Sequence, residues 1–167
     1  MLSYLIGFAG FALAFMLQMS VFSQWQILSG SADIVLLFVI AWCLYDRSKR
    51  LWLLVLIMAW IVGAISALPI WIPMVVYFVV YQVSRVFQAR LMQSPLLGMI
   101  LLTFGTSLLQ MVLNLIYLFV TRVDINFSRI LVEVALPSLL LNMLLAIPVH
   151  AVVREIANYA FPKGVEA

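Results

Sequence analysis

Charge is the scarcest commodity in this sequence. Of its 167 residues only 9% are Asp, Glu, Lys or Arg, against 67% hydrophobic ones. An ordinary globular domain carries about 25% charged residues, so too little polar surface is present to cover a body facing water. Cysteine is nearly absent as well. Cys43 stands alone inside an apolar run, which excludes an intrachain disulfide and reads as a buried, inert thiol. The lone histidine, His150, cannot join one cysteine in a metal cluster, and neither metal nor cofactor is expected. No HExxH, Walker or GxGxxG motif occurs. Without a nucleophile, base and orienter to assemble, the expected protein is not an enzyme. His150, near the end of the last apolar segment, reads as a satisfied interfacial side chain rather than a general base. The net charge of +3 is too small to point to nucleic acid.

What the sequence has in abundance is apolar runs. Its mean hydropathy is +1.22, and a bilayer core asks for about 20 apolar residues per helix. Six segments stand out, at about 2–22, 33–45, 51–68, 74–90, 95–121 and 130–153. They predict an all-α integral membrane protein, a six-helix transmembrane bundle over residues 1–153 with a short cytoplasmic tail at 154–167. Residues 2–22 carry no charge and no basic stretch precedes them. The run also exceeds the usual signal-peptide core, so it is read as a retained span. Segment two is shorter than a full span and must borrow from its loop or thin the bilayer. Pro69 and Pro73 bracket Ile70–Ile72, read as a turn that cannot continue a regular helix. Pro95 suits the first turn of segment five. With the N-terminus in the cytoplasm, Arg47, Lys49, Arg50, Arg85, Arg90, Arg154 and Lys163 all fall inside, and only Arg122 and Arg129 fall outside. The positive-inside rule therefore selects an N-in, C-in topology. Four or five spans, with a short segment re-entrant, stay open.

The polar residues inside these segments are the functional candidates. Asp33 and Glu133 lie near the outer interface and form a possible outer-face polar site; the competing roles are a helix N-cap for Asp33 and an i,i+4 partner of Arg129 for Glu133. Ser107, Gln110 and Asn114 share one face of segment five. With Gln18 and Asn142 they either glue helices together or line a polar cavity between segments one, five and six, and their spacing does not choose. Gly63, Ser66 and Ala67 permit close helix contact. Pro137 and Pro148 are expected to bend segment six, with Asn142 between them placed to hold freed backbone carbonyls. The basic loops, with Arg47, Lys49 and Arg50 in one and Arg85 and Arg90 in the other, suit anionic headgroups or a cytoplasmic partner.

Three stretches carry a resemblance to a known family. Leu17-Gln18-Met19-Ser20-Val21-Phe22, Ala32-Asp33-Ile34-Val35-Leu36-Leu37, and Leu136-Pro137-Ser138-Leu139-Leu140-Leu141-Asn142 with Ile147-Pro148-Val149 resemble, in order and spacing, segments of the rod shape-determining protein MreD family. Length, span count and polarity match over nearly the whole chain. Ala32 stands where the family usually has Pro, and the acidic residue of its segment three is absent around Gly63-Ala64-Ile65-Ser66. The resemblance implies a non-enzymatic scaffold of the bacterial cytoplasmic membrane that binds MreC. Through MreC it would be linked to the MreB filament and to the glycan polymerase and transpeptidase of lateral peptidoglycan synthesis. The family fold is similar to the six-helix substrate-binding subunit of energy-coupling factor transporters. That likeness supplies the alternative, a membrane receptor for a small molecule such as a vitamin.

Overall fold

Six helices build the structure, a computed structural model that describes residues 2–22, 26–27, 30–46, 51–66, 68–90, 95–122 and 127–160. Helix α1, Leu2–Leu17, ends in a π-helical turn at Gln18–Phe22. A two-stranded antiparallel hairpin follows, β1 at Gln26–Ile27 and β2 at Gly30–Ser31, with Gln26 opposite Ser31 and Ile27 opposite Gly30. Then come α2 (Ile34–Tyr45), α3 (Leu51–Ile65), α4 (Trp71–Arg90) and α5 (Pro95–Val120). The last helix, α6, is continuous through Phe127–Ile130, a π-helical stretch at Leu131–Ala135, and Leu136–Ala160.

Helix α2 is the centre of the bundle. Residues Ile34 to Cys43 are all buried, packed among α1, α4, α5 and α6. The run Ile-Val-Leu-Leu-Phe-Val-Ile-Ala-Trp-Cys offers no polar face, and a helix apolar on every side belongs in the interior. Helix α1 comes close through its glycines. A Cβ added at Gly10 would lie 2.6 Å from Cζ of Phe38, and one at Gly7 would lie 2.9 Å from Cε2 of Trp42. The Phe38 and Trp42 rings stack at a centroid distance of 5.9 Å, so α1 rests against an aromatic wall.

Helix α6 is patterned opposite to a helix of a water-soluble bundle. On α6 the buried stripe is Asn142, Ala146, His150, Val153 and Ala157, whereas Leu140, Leu144 and Ile147 are exposed. Small and polar side chains face inward and large apolar ones face out. Two helical stretches, Pro95–Val120 and Ser128–Tyr159, are long and apolar enough to cross a membrane. The 26 residues of α5 reach about 39 Å at the usual helical rise, more than the ~30 Å of a hydrocarbon core.

Several element boundaries depart from the sequence reading. Helix α4 begins at Trp71, not Met74: the N–H of Ile72 donates to Pro69 O at 3.0 Å and that of Met74 to Ile70 O at 3.3 Å. Pro73 therefore sits in the first turn, where a missing N–H costs nothing, and the proline pair starts a helix instead of interrupting one. Helix α3 stops at Ile65, and the Leu68 N–H donates to Ser66 Oγ at 3.1 Å in the turn that follows. Helix α6 runs on to Ala160, so Arg154 and Glu155 belong to it and not to a separate tail. Pro137 is absorbed by the π turn: the N–H of Leu136 reaches back five residues to Leu131 O, and Pro137 has no N–H to satisfy. At Pro148 the helix continues, with the proline on its exposed side.

Candidate functional site

The first N–H groups of a helix have no partner within it. For α2 this problem falls inside an apolar bundle, where an unpaired polar group is costly. Side chains from two other helices, with Asp33 itself, take up N–H groups there, and a third helix braces them. Gln18 Oε1 accepts the N–H of Ile34 at 2.8 Å while Gln18 Nε2 donates to Ala32 O at 2.8 Å. Asp33 caps its own helix, Oδ1 accepting the N–H of Leu36 at 2.9 Å. The N–H of Asp33 donates to Asn142 Oδ1 at 2.8 Å, and Asn142 Nδ2 donates to Ser107 Oγ at 3.1 Å. Gln110 Nε2 reaches Asp33 Oδ2 at a long 3.5 Å. Helices α1, α2, α5 and α6 are thereby tied together at one level.

The hairpin docks beside this knot. The N–H of Ser31 donates to Ser138 Oγ at 3.1 Å. Gly30 has no room for a side chain, because a Cβ there would lie 2.7 Å from Ser138 N and 2.9 Å from Val134 O. The opposite end of α2 is closed in a similar way. Gln88 Nε2 donates to Cys43 O at 2.7 Å and to Asp46 O at 3.0 Å, and Tyr45 Oη meets His150 Nε2 at 3.2 Å.

Twelve residues carry α2 only about 18 Å, less than half the length of α5. At its N-terminal end the bundle carries a half-open cavity of about 550 Å³, bounded by α1, the head of α2, the end of α3, α5 and α6. Gln18, Asp33, Ser107, Gln110, Asn114 and Asn142 supply its main polar lining. The Asn114 Oδ1 is buried and accepts no hydrogen bond from the described residues. No Lys, Arg or His lines the cavity, and Asp33 forms no ion pair among the described residues. The size falls within the roughly 300–1,000 Å³ of small-molecule sites, and the surface, mostly apolar with a few convergent polar groups, has their character.

The sequence candidates separate into groups. Ser107, Gln110, Asn114, Gln18, Asn142 and Asp33 come together in the knot and cavity, to which the head of α2 and the end of α3 also contribute. Glu133 does not line the cavity; it holds Arg129 at 2.9 Å, an exposed i,i+4 pair. Asp33 and Glu133 are thus not one site, since Glu133 points along its own helix. Asn142 serves Asp33 and Ser107 and not the backbone of α6 between the prolines, the nearer need being the orphan N–H groups of α2. Gly63 is buried against Ile70 of the turn after α3, where a Cβ would lie 3.0 Å from the Ile70 Cα, so its close approach is to its own connection and not to a distant helix. Ser66 lines the cavity. Pro137 packs under Gly30. Arg85 lies within α4 and Arg90 ends it. Arg47, Lys49, Arg50 and the placement of Ala67 lie outside the described residues.

Gly30, Ser138 and Gln88 are additional structural contacts. Gly30 had a signal, a Ser-Gly step in a short uncharged connection; Gln88 had only its isolation as an amide in an apolar stretch. Among the described residues, no three His, Cys, Asp or Glu side chains gather as a metal site would require. Nothing matches the chain among family models, curated proteins or solved structures.

Proposed function

We propose that this chain is a six-span protein of the bacterial cytoplasmic membrane, N-in and C-in, acting as a non-enzymatic scaffold subunit of the rod-shape elongation complex. In this reading it binds the single span of MreC and helps couple MreB filaments to lateral peptidoglycan synthesis by the glycan polymerase and transpeptidase. The observation that carries it is the meeting of the three stretches that resemble the MreD family. Gln18 from the first, Ala32 and Asp33 from the second, and Ser138 and Asn142 from the third join in the knot and docked hairpin at the head of α2. Short motifs far apart in a sequence have one physical reason to occur together when they satisfy one buried helix end.

The membrane part of the reading rests on the outward apolar faces and on the charge map. Leu13, Ile57, Phe119, Leu140 and Leu144 are all more than half exposed, a surface that water disfavours and lipid suits. Arg122 and Arg129 sit at one end of α5 and α6, while Arg85, Arg90 and Arg154 lie toward the other, where Gln88 and His150 meet the end of α2; this is the end the reading assigns to the cytoplasm. The exposed apolar faces of α5 and α6 leave room for a partner's span.

Co-expression with MreC, followed by purification in mild detergent, tests the proposal. A stable complex with that single-span periplasmic protein is expected. Recovery instead with an ATPase module and a retained vitamin, without MreC, would replace it by the transporter-subunit alternative. Labelling of single cysteines introduced at 122 and 163 in a Cys43→Ala background reads the topology: the first is expected to react from outside and the second only after permeabilisation.

A further inference from the structure

The knot explains why Gln18 and Asn142 are present, but it leaves part of the cavity's chemistry unused. Among the described residues, Asp33 Oδ2 has only the long contact from Gln110, and Asn114 Oδ1 is buried with no donor. Both residues line the same 550 Å³ space, among apolar side chains such as Phe15, Leu108 and Met111, with the Asn114 oxygen turned just beneath its surface. A buried oxygen without a donor is destabilising, and its persistence is explained if a donor arrives with a ligand. Among the described residues the lining holds a carboxylate and, just beneath it, an unmatched amide oxygen, but no cationic side chain. Anionic headgroups, phosphates and carboxylates would meet nothing to neutralise them. A compact cation that donates several hydrogen bonds would meet the Asp33 carboxylate directly, and Asn114, one turn beyond Gln110 on α5, once its amide turns toward the space.

We propose that this cavity is a binding site for a small amphipathic amine. Its protonated amino group is held by Asp33 and Asn114, and its apolar body lies against the walls from α1 and α5. The site does not depend on the scaffold reading: a scaffold with a ligand-gated partner surface and a carrier subunit would both use it. Asp33 is also hydrogen-bonded to the head of α2 and, through its own N–H, to Asn142 on α6. An amine at Asp33 would therefore bear on the level where four helices are joined.

The test uses the full chain in lipid nanodiscs with phenethylamine as probe, and phenylethanol and phenylacetate as neutral and anionic controls. Phenethylamine at tenfold its Kd is expected to raise Tm by about 3–5 °C, and the two controls to leave it unchanged. Asp33→Asn should abolish the shift. Because Asp33 also caps α2, two wall variants keep the test clear of folding defects. Asn114→Leu should weaken amine binding about tenfold while leaving the unliganded Tm equal or higher, since it removes an unsatisfied oxygen. Ala135→Phe, filling the cavity from α6, should eliminate binding. No shift with phenethylamine, equal shifts with all three probes, or a shift that survives Ala135→Phe would each overturn the site.

Discussion

Asn142 of α6 accepts the backbone N–H of Asp33 at 2.8 Å across 109 residues of sequence, joining the last helix to the start of the central one. The same side chain donates to Ser107 of α5. Replacing it by Leu puts a larger, apolar side chain in its place and strands a buried N–H, which costs about 1–3 kcal/mol. Asn142→Leu is expected to insert normally, to unfold at a lower temperature in detergent, and to recover less MreC in co-purification. Normal partner recovery from a destabilised variant would separate the knot from the partner surface.

The far end of α2 gives a graded comparison. Gln88 Nε2 supplies two carbonyls, Cys43 O and Asp46 O. A carbonyl left with one lone pair unmatched is tolerated better than an orphan N–H. Gln88→Leu should therefore lower Tm less than Asn142→Leu does. Gln88→Glu should be worse than Gln88→Leu, because it turns an acceptor toward two carbonyl oxygens. Thermal melts of the three purified variants in one detergent measure the order.

How much of this was visible in the residues depends on whether a local rule or a long-range contact sets the outcome. Apolar runs and prolines located the helices, and the Ser107, Gln110 and Asn114 spacing named the face of α5 that turns inward. Asp33 before an apolar run is a cap signal that needs no tertiary information. The depth of α2 was not legible, since a run of twelve apolar residues reads alike for a short span and a core helix. Nor was the role of Asn142, because its oxygen serves a backbone N–H 109 residues away, and a backbone N–H leaves no mark in composition. The first turn of α4 was misread for a local reason: Pro73 stops a helix already under way but is accepted within its first three residues.

The ion pair of Arg129 with Glu133 is a case where a short distance carries little energy. Its side chains are 72% and 39% exposed, and the two residues are one turn apart on α6. Such pairs contribute about 0.2–0.5 kcal/mol. Glu133→Gln is expected to shift Tm by less than 1–2 °C and to leave MreC recovery and phenethylamine binding unchanged. A loss of either would return Glu133 to the functional site.

Two glycines make opposite predictions for the same substitution. Gly30 lies against backbone atoms of α6, and a Cβ placed 2.7 Å from Ser138 N can be relieved only by moving the hairpin or the helix. Gly30→Ala should thus break the Ser31–Ser138 bond and destabilise by about 1–3 kcal/mol, the usual cost of overpacking. Gly105, midway along α5, has nothing within 4 Å of an added Cβ. There alanine only restricts the unfolded backbone and favours helix, so Gly105→Ala should stabilise by about 0.5–1 kcal/mol. Denaturation of the two variants side by side checks both signs. If Gly105→Ala destabilised as much as Gly30→Ala, helix propensity would be overridden on that face of α5 by a neighbour absent from the isolated chain, such as a partner's span seated against it.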